Sequence, residues 1–211
     1  DSGKHEDAIQ EFSSFVEQYP NGKASVAAVN LIMDSYLLQE DYEGLIRYGK
    51  KTIQNPFIID SKLKQELTAI VQSAESRIVS SMTVAAMDDW DEGKTKLKAM
   101  ADENSSAMGE QALNALIVSS KQKKDLETLF SAGNSLLIKY PGTDKVEDTL
   151  GVLTDTSIKI EQYRMVADYL ETFAEKLPNH ENTSEFLNQA GNIRTSLGQY
   201  GKANQDFNTL L

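Results

Sequence analysis

Large apolar or aromatic residues recur at Tyr42, Trp90, Leu126, Tyr163 and Tyr200, at intervals of 48, 36, 37 and 37 residues. Self-similarity at a period of this size marks a repeat architecture, in which each unit is one supersecondary element that cannot bury its apolar face alone. Three of the four intervals fit a unit of two helices and two short turns. The prolines punctuate the same frame. Gln18-Tyr19-Pro20, Lys139-Tyr140-Pro141 and Lys176-Leu177-Pro178 each close an amphipathic run, and Gln54-Asn55-Pro56 closes a fourth. Proline disfavours the α conformation in the residue before it and has no N–H to continue the ladder, so it reads as a stop.

Between these stops the apolar period is helical throughout, and no period-two alternation predicts a strand. The reading is all-α, with about 11 antiparallel helices at 4–19, 23–38, 42–54, 60–86, 90–103, 107–121, 125–140, 144–160, 162–177, 183–197 and 200–211. Helix starts are signalled by Asp60-Ser61, by Ser105-Ser106, and by Asp144 with Glu147 three residues on as a capping box.

The pattern of small and aromatic residues is more specific. Gly198, Tyr200, Ala203, Phe207 and Leu210 in the last segment share their offsets with Gly3, His5, Ala8, Phe12, Phe15 and Pro20 in the first. Tyr163, Val166, Leu170, Phe173 and Pro178 repeat them, as do Leu126, Leu129, Gly133, Leu136 and Pro141, and Leu187, Ala190 and Gly191 fit the preceding first helix. A small residue at Ala8, Gly93 or Ala203 lets paired helices approach closely, and the aromatic at the turn fills the wedge where they diverge. On these residues the chain resembles the tetratricopeptide repeat family in degenerate form, with Leu45, Leu129 and Val166 where the family has alanine. The ending Phe12-x-x-Phe15-x-x-x-Tyr19-Pro20 is similar to the divergent repeats of bacterial cell-envelope proteins of the BamD and CpoB kind. The resemblance implies a right-handed α-solenoid of about five helical hairpins forming one domain over 1–211, and it implies a periplasmic or envelope setting.

Two irregularities interrupt the frame. The 48-residue interval places about three extra turns, some 16 Å of helix, in the proline-free stretch 60–87. That length either projects with Met82, Val84 and Met87 as an adaptable contact surface or packs on the next hairpin. The array also starts and stops in mid-repeat, with Ile9, Phe12, Val16, Phe207 and Leu210 in its end helices. An unpaired end helix leaves its apolar face in water, so the expectation is a piece of a longer chain or ends covered by a second copy. A first stretch DSGKHEDAIQ, with neither initiator Met nor an apolar leader, suggests a processed or trimmed start.

Composition excludes several functions. Lys plus Arg number 21 against 32 Asp plus Glu, a net charge of −11, so nucleic acid and anionic membrane surfaces are poor partners, and RNA binding is the weakest of the readings weighed. No cysteine is present, which removes disulfides, thiolate nucleophiles and sulfur-ligated zinc. No apolar run is long enough for direct membrane insertion. The two histidines, His5 and His180, are far apart and read as surface residues of helices, the run Asp88-Asp89-Trp90-Asp91-Glu92 reads as a turn entering a helix, and Ser80-Ser81 and Ser119-Ser120 read as helix faces and ends. No cofactor, metal or catalytic site is predicted.

The family's fold implies that first helices line a concave groove. Its register places Asn30, Asn114 and Asn188 at equivalent positions on that face, with Asp34, Asp155 and Asn192 one turn later. Amides so spaced can hydrogen-bond an extended peptide, and an acidic-to-neutral groove suits basic or uncharged ligands. Missing are the Lys-Asn pairs with which the family clamps a C-terminal carboxylate. The leading expectation is a non-enzymatic scaffold or adaptor for protein partners; the alternative is the helical accessory domain of a larger cell-wall enzyme such as a lytic transglycosylase.

Overall fold

The structure, a computed structural model, describes residues 2–103 and 107–209. Those residues form eleven helices: α1 (Ser2–Gln18), α2 (Lys23–Leu38), α3 (Tyr42–Gln54), α4 (Ser61–Asp88), α5 (Trp90–Glu103), α6 (Ala107–Lys123), α7 (Leu126–Lys139), α8 (Val146–Lys159), α9 (Tyr163–Lys176), α10 (Thr183–Ser196) and α11 (Tyr200–Asn208). No strand occurs among the described residues, and the all-α reading holds. The start signal at Ser105-Ser106 and the terminal Leu210 lie outside the described residues. Contacts divide the chain into two compact units, Asp1–Gln111 and Ala112–Leu211.

Four of the predicted turns share one backbone device. Glu40, Lys124, Glu161 and Gly198 take the left-handed conformation, with φ of 55°, 57°, 58° and 69°, each two residues before Tyr42, Leu126, Tyr163 or Tyr200. In each, the next residue's N–H reaches five residues back, from Asp41 to Tyr36, Asp125 to Ser120, Gln162 to Ser157 and Gln199 to Arg194, over 2.8–3.0 Å. This is the Schellman ending, which satisfies carbonyls that a helix terminus otherwise leaves bare. Three of the four turns adopt it without glycine. The turn before Trp90 does not share it: Asp89 is extended at φ −124°, and there the repeat interval also departs.

Helix starts follow the polar caps in part. The side chains of Asp41, Asp60 and Asp125 accept the N–H of Gly44, Leu63 and Thr128. The capping box at Asp144 and Glu147 does not form. Helix α8 begins at Val146 behind Lys145, whose N–H donates to Thr143 Oγ1, while Asp144 lies beside Lys145 Nζ at 3.3 Å. At the proline turns α1, α7 and α9 end two residues before the ring, and the hydroxyls of Ser25 and Thr183 donate to the pre-proline carbonyls of Tyr19 and Leu177.

In the first unit each helix packs on its chain neighbours from α1 to α5. Helices α3 and α4 run antiparallel: Arg77 Nη1 meets Tyr42 Oη at 3.3 Å, Val71 fills the space beside Gly49, and Lys64 Nζ donates to the Asn55 carbonyl at 3.0 Å. That register uses α4 only to about residue 77. Beyond it α5 takes over, with Ala86 fully buried under Gly93, where any Cβ would overlap the Ala86 backbone. Buried Leu63, Leu67, Val71, Ala74, Val79 and Ala86 therefore run the whole 28-residue helix. The extra turns do not project free; they let one helix back two partners, and of the three residues proposed as a contact surface Met82 and Met87 are half-buried while Val84 is exposed.

The second unit repeats the sequential packing from α7 to α11. Leu129, Leu137, Val146, Leu150, Leu153, Tyr169 and Phe173 form its main cluster, with Val166, Ala167, Leu170 and Ala190 in a second one. Gly133 admits Leu153, and Gly191 admits the Phe207 ring within 2.5 Å of where a Cβ would stand. The end helices are less bare than their composition suggests: Val16 is buried, and Ile9, Phe12 and Phe207 are half-buried.

Candidate functional site

Helix α8 divides its faces sharply. Thr149, Leu150, Leu153 and Ser157 turn into the second unit, and Glu147, Asp148, Gly151, Asp155 and Ile158 turn outward. Together with α10 it borders an open groove of about 490 Å³, within the range of ligand clefts. Leu170 and Phe173 of α9 supply the floor, Phe186 and Gln189 of α10 with Asn182 just before it the far wall, and Glu147, Asp148 and Asp155 the rim. No Lys or Arg lines it. At Gly151 a Cβ would meet nothing within 4 Å, so that position faces open space.

The floor is held by aromatic edges. Phe173 stands edge-on to Phe186 at 4.7 Å between ring centroids and to His180 at 5.1 Å. His180 lies in the turn between α9 and α10, not on a helix face, and its Nε2 is 3.5 Å from Glu147 Oε2, linking that turn to the acidic rim. An apolar floor under a one-signed rim attracts an apolar group whose neighbours carry the opposite charge.

Of the six residues proposed from sequence, Asp155 lines this groove. Asn192 lines a second hollow with Tyr163, Ile193, Ser196 and Leu197, on the turns of α10 that follow Gln189. Asn188 is exposed on α10, Asn114 is half-buried on α6, and Asn30 and Asp34 are exposed one turn apart on α2 in the first unit. The register missed Gln189, Phe186, Glu147 and Asp148. The doublet Glu147-Asp148 was legible as charge at the start of α8, whereas Phe186 and Gln189 acquire meaning only when α10 is laid against α8.

No protein-family model and no curated protein matches this chain.

Behind the groove is a charge cluster that sequence reasoning also missed. Arg194 of α10 is 1% exposed. Its Nε and Nη2 donate to the two carboxylate oxygens of Glu171 at 2.6 and 2.8 Å, Nη2 also to Asp168 Oδ1 at 2.5 Å, and Nη1 to Gln199 Oε1 at 2.8 Å. The bond to Glu171 foremost, then that to Asp168, raises the guanidinium pKa against the opposing effect of burial. Asp206 of α11 is 6% exposed with Oδ2 unpartnered, and burial, then the Glu171 charge, raises its pKa. This cluster ties α9, α10 and the α10–α11 turn behind the groove wall. The pair Asp168 and Glu171 is visible as one helix face, but nothing in the local sequence announces a cation more than twenty residues away.

Asp89 Oδ1 accepts the Glu92 N–H, so the acidic run caps α5. Ser119 and Ser120 are fully buried in α6, where Ser120 Oγ donates to the Ile117 carbonyl. Among the described residues no three metal-binding side chains gather, and no helix is long and apolar enough to cross a membrane.

Proposed function

We propose that this chain is a non-enzymatic interaction module of stacked, tetratricopeptide-like helical hairpins, and that the groove between α8 and α10 receives an apolar segment flanked by basic residues from a protein partner. The observation that carries the reading is the groove's composition: Leu170, Phe173 and Phe186 under a rim of Glu147, Asp148 and Asp155 with no lining cation. The repeated left-handed turns at Glu40, Lys124, Glu161 and Gly198 support the hairpin-repeat part of it. Apolar anchors supply affinity by leaving water, and the rim supplies orientation and association rate.

Selection of phage-displayed random peptides on the purified chain tests this directly. The expected consensus has one or two large apolar residues beside Lys or Arg. Binding should weaken as salt rises, because exposed carboxylates are screened over about 10 Å at 0.1 M salt. Glu147→Lys with Asp148→Lys should abolish the selected binding while circular dichroism stays unchanged. Selected peptides without basic residues, or binding indifferent to the double variant, would refute the reading.

A further inference from the structure

The first unit carries a feature of opposite character. Between α3 and α4 the chain reads Asn55-Pro56-Phe57-Ile58-Ile59-Asp60, and every polar contact there serves to fix it. Asn21 Nδ2 donates to the Phe57 carbonyl at 2.8 Å, and its Oδ1 accepts the Ile59 N–H at 3.1 Å. Asn55 Oδ1 accepts the Phe57 N–H at 2.9 Å, and Asp60 caps α4. Ile58 is 2% exposed and anchors the loop to the core, while Phe57 and Ile59 on either side stand 71% and 78% exposed. A flexible loop could fold such side chains against its own surface; this one cannot. Two apolar side chains fixed in water are preorganised for docking, since the ordering cost of binding has already been met in the free protein.

Their surroundings state the partner's charge. In a chain of net −11, residues 47–64 contain Arg47, Lys50, Lys51, Lys62 and Lys64 against the single acid Asp60. Arg47, Lys50 and Lys51 line a hollow that ends at Asn55, and Lys23 and Lys62 line another together with Asp60 and Glu66, so cations stand on both sides of the exposed pair, in excess on the Asn55 side. Glu17 and Glu75 neutralise Lys51 and Lys50 in part, and Glu66 lies 3.7 Å from Lys62 Nζ. What fits is an apolar cleft with a carboxylate rim. The molecule contains such a cleft in the α8–α10 groove.

We infer that the Phe57–Ile59 loop of one copy docks in the α8–α10 groove of a second copy, giving head-to-tail self-association. Phe57 and Ile59 meet the floor of Phe173 and Phe186, and Arg47 and Lys62 meet Glu147 and Asp148. The contact joins two different surfaces, so each copy keeps one free loop and one free groove, and assembly continues past the dimer unless a ring closes. A bilayer is the lesser candidate for this loop, because two side chains bury less hydrocarbon than a single acyl chain, itself a marginal anchor, and the whole chain is anionic. The inference rests on the groove reading of the preceding subsection.

Sedimentation equilibrium over a concentration series tests it on the intact chain. The mean mass of the wild type should rise with concentration without stopping at two copies. Phe57→Asp with Ile59→Asp should weaken association at least about thirtyfold, the loss expected for a buried anchor. Glu147→Lys with Asp148→Lys should do the same. The deciding result is the mixture: the two double variants, each monomeric alone, should form a one-to-one dimer, since one brings an intact loop and the other an intact groove. A wild type that stays monomeric into the millimolar range would overturn the inference. So would a groove variant that still associates, or loop-dependent sedimentation with phosphatidylserine vesicles by a protein monomeric in solution. If phage-selected peptides bind the groove while the wild type stays monomeric, self-association falls and the groove reading stands; if neither occurs, both fall.

Discussion

Replacing Arg194 with methionine keeps most of the buried volume and removes the buried cation that holds Asp168 and Glu171 together, leaving Asp168 only the half-exposed Lys202 at 3.6 Å among the described residues. Three charge-assisted hydrogen bonds, two to Glu171 and one to Asp168, are lost together with the bond to Gln199. Breaking a buried ion pair from one side costs about 3–5 kcal/mol, because the partner charges are left uncompensated. Here the carboxylates can partly rehydrate, since the Asp168 and Glu171 side chains are 47% and 27% exposed, so the lower end, about 3 kcal/mol, is the expected loss. That corresponds to roughly a hundredfold rise in local opening. The only tryptophan, Trp90, belongs to the first unit and would report the wrong event. Hydrogen exchange read by mass spectrometry over 163–208 is therefore the assay, with protection there falling about a hundredfold while 2–60 is unchanged. Arg194→Lys should fall between, because an ammonium keeps the charge and loses the planar fork. A change under about threefold for the methionine variant would show that the cluster does not hold α9, α10 and the following turn together.

Other perturbations follow from single features. The raised pKa of Asp206 means the folded state keeps its proton above the ordinary carboxylate range near 3.9; the stability tied to that proton is present at lower pH and lost as pH rises through the folded value. Asp206→Asn should therefore raise the urea midpoint of the second unit at pH 7 and give little gain near pH 3.5, and a gain equal at both would refute the assignment. At the left-handed turn positions, Glu161→Gly should stabilise by up to about 1 kcal/mol and Gly198→Ala should cost about 1 kcal/mol, measured by chemical denaturation. Burial pushes the Tyr48 hydroxyl up to about 12 and also raises that of Tyr169, so ultraviolet titration should show two tyrosines ionising later than the rest, and Tyr48→Phe should remove the step near 12.

The helices themselves were legible because their signals are local. Period 3.6, a proline two residues past Gln18, Lys139 and Lys176, and the caps at Asp41, Asp60 and Asp125 act within a few residues of where they are written, and the structure places the elements close to where these signals put them. The failed capping box is as local: with the Lys145 N–H on Thr143 Oγ1, α8 starts one residue later than the box requires, which leaves Asp144 outside the cap position and Glu147 only two residues into the helix.

The turn frame was legible through Tyr42, Leu126, Tyr163 and Tyr200, but only Gly198 advertised the left-handed residue that makes the turn. Glu40, Lys124 and Glu161 adopt it because closing a helix with satisfied carbonyls and packing the next one outweighs a backbone cost of about 1–2 kcal/mol. The fate of the long α4 was likewise hidden. Its spare length is read from the sequence, whereas its cover comes from Gly93 meeting Ala86 across a helix contact.

The residues given function divide the same way. The sequence by itself determined the helical class, the positions of the turns and the acidity of α8, since each depends on neighbours along the chain. Tertiary structure alone decided that Phe186 and Gln189 face Asp155 across a groove, that Arg194 meets Asp168 and Glu171, and that Ile58 is buried between two exposed neighbours. The reason is physical: propensity, caps and periodicity act over a turn or two of helix, while burial and charge pairing act over a few ångströms between residues that the chain separates by twenty or more.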